Sequence, residues 1–182
     1  IAVDPRNGET ALVCVTGKLW SDSNDRGVYR TADGGKTWTQ VLKGGNASTG
    51  CGSMSLDAKN PDVVYASLWD FRRKGWTFRS GGEGPDAPSG SGLYRSADGG
   101  KTWSEVTGGG LPGKPYGRIA VAVAPSDSKV VYAFVEGVKS ALFRSGDGGK
   151  SWERRDDSQM MVWRPFYFAN LIVDPSNPDR LF

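Results

Sequence analysis

The sequence predicts an all-β chain built of successive four-stranded antiparallel blades, and three observations carry that prediction. An octapeptide with Asp, Gly and Trp at fixed places occurs three times, at 31–38, 96–103 and 145–152. An alternating apolar run stopped by an Asp or Pro turn precedes each copy, at 1–5, 54–58 and 121–125, and recurs at 171–175. No window sustains a 3.6-residue apolar period, which argues against helices, and 26 glycines with 10 prolines suit short strands joined by tight turns.

The octapeptide reads as a hairpin turn. Its copies are Thr31-Ala32-Asp33-Gly34-Gly35-Lys36-Thr37-Trp38, Ser96-Ala97-Asp98-Gly99-Gly100-Lys101-Thr102-Trp103 and Ser145-Gly146-Asp147-Gly148-Gly149-Lys150-Ser151-Trp152. A short Asp side chain accepts from N–H groups of its own turn, Gly supplies positive φ, and the flanking hydroxyls close bonds locally. Trp38, Trp103 and Trp152 then leave the turn as apolar anchors, expected in the core or between blades.

Each blade can be phased in order. Its first strand contains Val3, Leu56, Val123 or Val173; its second runs over 11–16, 63–68 or 130–135. The third, ending in Tyr29-Arg30, Tyr94-Arg95 or Phe143-Arg144, leads into the octapeptide, and the fourth follows the Trp. Blade one is therefore expected at 1–42, blade two at 52–107 with an insertion at 70–91, blade three at 118–156, and the start of a fourth at 169–182. Such a unit cannot bury its faces without neighbours, so the chain reads as an arc of a β-propeller, a fragment of a larger ring, which in propellers typically closes with four to eight blades. Opening on Ile1 and stopping in a strand-like run at Phe182, it also reads as a piece of a longer protein.

The three octapeptides resemble Asp-boxes, the bacterial neuraminidase repeats found in the propellers of sialidases, xyloglucanase-type glycoside hydrolases and the sortilin family. A second resemblance lies in Ser67-Leu68-Trp69-Asp70, Arg72-Arg73, Trp76-Thr77-Phe78, Ser80-Gly81-Gly82, Gly117-Arg118-Ile119 and Arg164-Pro165-Phe166-Tyr167. These stretches are similar to bacterial exported proteins with sortilin-like propellers, often labelled glycosyl hydrolases. That resemblance implies an extracytoplasmic protein, secreted, periplasmic or on the cell surface, with a seven- to ten-bladed or paired propeller ring and no established reaction.

Composition excludes several chemistries. The absence of histidine removes Ser-His-Asp and Cys-His nucleophiles and histidine metal sites from this segment. A net charge of +3 calls for neither nucleic acid nor an acidic membrane, and no apolar run is long enough for a membrane span. Two cysteines are too few for a disulfide framework or a cysteine zinc site. Cys14 aligns with Ala66 and Ala133, so a packed thiol in a small slot is expected; the pairing of Cys51 is open. No cofactor and no metal are implied: Asp22-Ser23-Asn24-Asp25-Arg26-Gly27 lacks the ligand spacing of a calcium loop. Asn46-Ala47-Ser48 matches a glycosylation sequon.

Strand order sorts the loops onto two faces. Turns from first to second and third to fourth strands share a structural face; second-to-third loops and inter-blade links share the other, where function usually resides on a regular scaffold. That loop face is expected to collect Lys18, Trp20, Asp22 and Asp25, then Phe71, Arg72, Arg73, Lys74, Trp76, Phe78, Arg79, Glu83 and Asp86 of the insertion. The links add Lys114, Tyr116, Arg118, Trp163, Arg164, Phe166 and Tyr167. Aromatic and arginine side chains gathered together suit a protein, peptide or glycan ligand, and Trp20, Arg72, Arg73, Trp76, Arg79, Tyr116, Arg118, Arg164 and Tyr167 are the expected contacts. The expected role is therefore binding or scaffolding, alongside the remaining blades. The alternative is part of a glycoside hydrolase, for which Asp22, Asp70 and Glu83 are the candidate carboxylates. Arg72, Arg118, Arg164 and Tyr167 supply a sialidase's residue types without its pattern.

Overall fold

The computed structural model describes residues 1–74, 77–79, 89–158, 167 and 169–182, with 72–74 and 77–79 described as backbone. The first sheet holds β1 (Ala2–Val3), β2 (Ala11–Val15), β3 (Gly27–Thr31) and β4 (Thr39–Leu42) in that order. The second is ordered β10-β9-β6-β5, from β5 (Thr49–Leu56), β6 (Val64–Asp70), β9 (Gly92–Ser96) and β10 (Ser104–Glu105). Within its second-to-third connection, β7 (Arg72–Lys74) and β8 (Thr77–Arg79) form a separate antiparallel pair. The third holds β11 (Ile119–Val123), β12 (Val131–Val135), β13 (Ala141–Ser145) and β14 (Glu153–Asp156). A lone antiparallel bridge, Val173 to Leu181, follows. The described chain is thus all-β, an arc of propeller blades.

Register corrects one step of the sequence phasing. Tyr29, Tyr94 and Phe143 face Val13, Ala66 and Ala133, so Cys14 shares its place with Ser67 and Phe134 instead of Ala66 and Ala133. The slip arises at the preceding turn. The N–H groups of Thr10, Val63 and Val130 close that turn onto Asn7, Asn60 and Asp127. Two of the three closing residues are apolar and so lengthen the apparent strand by one. With a side-chain period of two, that single residue moves every side chain to the opposite face.

The correct faces explain the core, which lies between sheets. Leu12, Val28 and Cys14 of the first sheet pack with Cys51, Val64, Ala66 and Leu68 of the second. Tyr65 and Leu93 of the second meet Val121, Val123, Val131 and Ala133 of the third. Ala122, Tyr132, Phe134 and Leu142 then meet Ala169 and Val173. β11 and β12, covered on both sides, are buried along their whole length. The first seam is also covalent: Cys14 and Cys51 form a disulfide, where a packed thiol was expected.

The octapeptides close as their chemistry predicts. Asp98 Oδ1 accepts from the N–H groups of Lys101 and Thr102 and the Ser96 hydroxyl, at 3.0, 2.9 and 2.8 Å, and Oδ2 accepts from the Thr102 hydroxyl at 2.5 Å. Asp33 and Asp147 repeat the pattern, and each Trp indole N–H donates to the carbonyl of the second glycine. That glycine has a second duty. A Cβ on Gly100 or Gly149 would stand 2.8 Å from Leu12 or from the Tyr65 hydroxyl, so the turn is also where the preceding sheet docks.

The three tryptophans differ. Trp152 is 6% exposed within the second seam and Trp103 packs on the first, but Trp38 is 42% exposed. Trp103 and Trp152 pack toward the sheet before their own, and among the described residues no sheet precedes the first. For Trp38 the expected anchoring is therefore not seen.

Candidate functional site

Hydrogen bonds separate two faces of the arc. Gly34, Gly99 and Gly148 donate to the carbonyls of Glu9, Asp62 and Lys129, tying each Asp-box to its own first-to-second turn. The opposite face gathers Thr16 to Arg26, Asn46 to Thr49, Asp70 to Phe71, Ser89 to Ser91 and Tyr116 to Arg118.

Arg26 organises the first of these loops. It is 2% exposed, and its guanidinium donates to the carbonyls of Thr16 at 2.5 Å, Ser21 at 3.0 Å and Lys18. Its outer face lies 5.0 Å over the Phe71 ring, Phe71 stacks on Trp69 at 4.4 Å, and Arg118 lies 5.3 Å over Trp69. A guanidinium–aromatic–aromatic–guanidinium column thus crosses three sheets at one level. Cation–π contacts of this kind strengthen when desolvated. Arg118 also donates through Nη2 to Asn170 Oδ1 at 3.2 Å and through its backbone N–H to Glu136 Oε2 at 2.7 Å. Burial pushes its guanidinium pKa down from the ordinary arginine value.

Asp70, between the two stacked rings in sequence, turns the other way. It is 3% exposed; Oδ1 accepts from the Ser48 hydroxyl at 2.7 Å, and Oδ2 from Asn46 Nδ2 and the Gly90 N–H, both at 2.9 Å. Asn46 Oδ1 in turn accepts from Ser48 and Thr49. The sequon amide is therefore engaged internally, and Asp70 acts as a buckle between a link and the ends of the insertion.

The expected ligand contacts are distributed unevenly. Trp20 is 64% exposed and Tyr167 37% exposed, whereas Tyr116 is 3% exposed, belongs to the second-seam core and donates its hydroxyl to the Pro112 carbonyl at 2.5 Å. Asp22, Asp25 and Lys18 are exposed on the first loop. Lys114 pairs with Glu105 at 2.5 Å. Arg72, Arg73 and Lys74 lie on β7 and Phe78 and Arg79 on β8, at backbone positions only. Trp76, Glu83, Asp86, Trp163, Arg164 and Phe166 lie outside the described residues. Glu136 and Asn170 carry no signal in the sequence, and Trp69 and Arg26 stand out there only as members of the 67–70 and 22–27 stretches; for Arg26 the signal is a long cation at the end of a small, polar loop, immediately before a strand-opening glycine.

Among the described residues no group of three or more His, Cys, Asp or Glu is placed to hold a metal ion. No helix among them is long and apolar enough to cross a membrane.

Comparison with known proteins agrees with the fold. A family profile for the BNR/Asp-box repeat matches residues 94–105. No curated protein matches the chain. Among solved structures, the GH74 enzyme of Niastella koreensis superposes with a TM-score of 0.61 at 22% identity, over 99% of this chain and 26% of that one. The GH74 xyloglucanase of Xanthomonas campestris gives 0.58 at 20% identity, over 96% and 26%, and an ancestral GH74 enzyme 0.56 at 17%, over 97% and 22%. The chain spans about a quarter of the length of those enzymes. Repeat and superposition together give the chain a β-propeller fold that carries a BNR/Asp-box repeat.

Proposed function

We propose that this segment is a recognition module of an extracytoplasmic, sortilin-like propeller, taking a protein, peptide or glycan on its loop face. The observation that carries the reading is Trp20, a large aromatic 64% exposed on a loop that Arg26 pins from inside by three carbonyls. An exposed indole on a loop whose backbone is pinned is a stacking platform for a sugar ring or an anchor for a partner. Tyr167 supplies a second exposed ring after the third sheet. A disulfide supports a location outside the reducing cytoplasm. Binding of the full-length protein to a glycan and peptide array tests the reading, with Trp20→Ala beside it. Retained binding in that variant, with an unchanged melting curve, removes the module from the loop face.

A second reading makes the segment part of a glycoside hydrolase, and what favours it is the superposition of nearly the whole chain on GH74 enzymes. Hydrolysis needs two carboxylates about 5 to 9.5 Å apart, one free to hold or lose a proton. Asp70 is saturated by three donors, so Asp22 and Glu83 are the carboxylates this reading would use. Turnover of a polysaccharide panel by the full-length protein, abolished in Asp22→Ala or Glu83→Ala while the fold persists, replaces the first reading with this one.

A further inference from the structure

We propose that Asn7 is a site of spontaneous covalent modification, losing its side-chain amide through attack by the Gly8 backbone nitrogen to give aspartate and isoaspartate. The chain has four Asn-Gly or Asp-Gly pairs, at 7–8, 33–34, 98–99 and 147–148. A glycine after Asn or Asp offers its nitrogen with no Cβ in the way, so each pair invites ring closure onto the side-chain carbonyl carbon. The fold closes three of them. In the Asp-boxes the N–H groups of Gly34, Gly99 and Gly148 donate to the carbonyls of Glu9, Asp62 and Lys129 at 2.9, 3.0 and 2.9 Å. Each of those Asp carboxylates is also held by donors of its own turn.

Asn7-Gly8 is different. Both residues are exposed, a Cβ on Gly8 would meet nothing within 4 Å, and among the described residues the Gly8 N–H donates to no acceptor. The amide that must leave is held by one long hydrogen bond, from Asn7 Nδ2 to Thr10 Oγ1 at 3.4 Å. The repeat of this turn supplies the comparisons. Asn60 and Asn177 occupy the place of Asn7, and each accepts from the N–H two residues on, as Asn7 does from Glu9. Pro61 and Pro178 follow them, however, and a proline nitrogen has no proton to lose. In the third sheet Asp127 holds the place. It accepts from the Lys129 N–H at 3.0 Å, and the Val130 N–H closes the turn on its carbonyl at 2.9 Å, so an aspartate there keeps the turn.

The chemistry needs water and hydroxide alone. Hydroxide takes the Gly8 N–H proton, the nitrogen bonds to Asn7 Cγ, and the Cγ–Nδ2 bond breaks; ammonia leaves with a proton from water. Water then opens the cyclic imide at either carbonyl. Opening at Cγ restores the main chain and leaves aspartate; opening at the backbone carbonyl leaves isoaspartate, with the chain running through Cβ and Cγ. One water enters, one ammonia leaves, and nothing is oxidised or reduced. The two products differ in consequence, as a covalent change alters charge and geometry together. Aspartate reproduces Asp127. Isoaspartate lengthens the main chain just before Glu9, whose carbonyl holds the Gly34 N–H of the first Asp-box. The isoaspartyl form therefore loosens the tie between the first sheet's turn and its Asp-box.

The test is incubation of the intact chain at mildly alkaline pH in heavy-oxygen water, folded and in concentrated urea, followed by peptide mapping with mass spectrometry. In the folded chain Asn7 should convert to labelled aspartate and isoaspartate many-fold faster than Asn60 or Asn177, while Asp33, Asp98 and Asp147 take up label only in urea. Gly8→Pro copies Pro61 and Pro178, removes no hydrogen bond and should abolish the conversion. Gly8→Ser copies Ser128 and should slow it several-fold even if the proline variant folds poorly. Hydrogen exchange at the Gly34 N–H should rise in the isoaspartyl fraction and stay at the wild-type level in Asn7→Asp. Conversion of Asn7 no faster than that of Asn60, equal labelling of the Asp-box aspartates in the folded chain, or a rate unchanged in both Gly8 variants overturns the proposal. Unchanged Gly34 exchange in the isoaspartyl fraction overturns its structural consequence. The loop-face reading stands apart, since this turn lies on the Asp-box face.

Discussion

Cys14 and Cys51, 37 residues apart in sequence, stand with their Cα atoms 5.0 Å apart across the seam between the first two sheets and are joined by a disulfide. The bond links the second strand of one blade to the first strand of the next, beside the Thr16 hydroxyl bond to the Cys51 carbonyl. It therefore closes a loop containing most of the first sheet. Cys14→Ser with Cys51→Ser should lower stability by about 2 to 4 kcal/mol, since the unfolded chain regains the closed-loop entropy. Denaturant unfolding with and without reductant checks this: reductant should shift the wild type to the variant's midpoint and leave the variant unmoved.

Acid should unfold the protein through the Asp-boxes. Hydrogen bonds from the Thr37 hydroxyl and N–H, with the Thr31 hydroxyl, lower the Asp33 carboxyl from 3.8 to about 2, and Asp98 and Asp147 are lowered by the same donors of their own turns. Asp4, bonded by Arg6, is also lowered to about 2. A depressed carboxylate contributes stability that is full above its unfolded value and is lost as pH falls through its folded value. Melting temperature should hold down to about pH 4 and fall from there toward pH 2. Replacing Asp98 by Asn should flatten that slope; an unchanged slope would refute the assignment.

Equivalent tryptophans should have unequal worth. Trp152→Ala empties a buried place in the second seam and should cost about 3 to 5 kcal/mol by urea unfolding, a full core truncation. Trp38→Ala, at a position already 42% exposed, should cost clearly less in this chain. Equal losses would mean that Trp38 is covered in solution.

Asp70 should behave as a structural residue. Asp70→Ala strands Asn46 Nδ2, the Ser48 hydroxyl and the Gly90 N–H in a buried place and should cost about 2 to 4 kcal/mol. Binding or turnover by the full-length protein should fall only in proportion to the folded fraction, measured by circular dichroism on the same samples. Loss of activity in a fully folded variant would make Asp70 a working carboxylate.

Local chemistry is what made the blades legible. Asp33, Asp98 and Asp147 bond within eight residues, so the turn and the strands entering it follow from nearby sequence. The register of the second strands was misread by one because Val63 and Val130 are apolar yet belong to a turn. The site was less legible still. The Arg26–Phe71–Trp69–Arg118 column joins residues up to 92 positions apart, with no periodicity to announce it. Tyr116 reads as a ligand aromatic until its hydroxyl is seen bonded to Pro112 inside the core.

From its residues taken in order, the chain already specifies repeated four-stranded units and their Asp-and-Trp corners, because short-range hydrogen bonds and a two-residue side-chain period act over a few positions. Folding in three dimensions settled which surfaces meet: that Cys14 reaches Cys51, that the Tyr65 hydroxyl reaches the Gly148 carbonyl of the next sheet, and that Asp70 is enclosed. Each of these depends on how one sheet is set against the next, and that placement comes from side chains competing for space and partners across a seam.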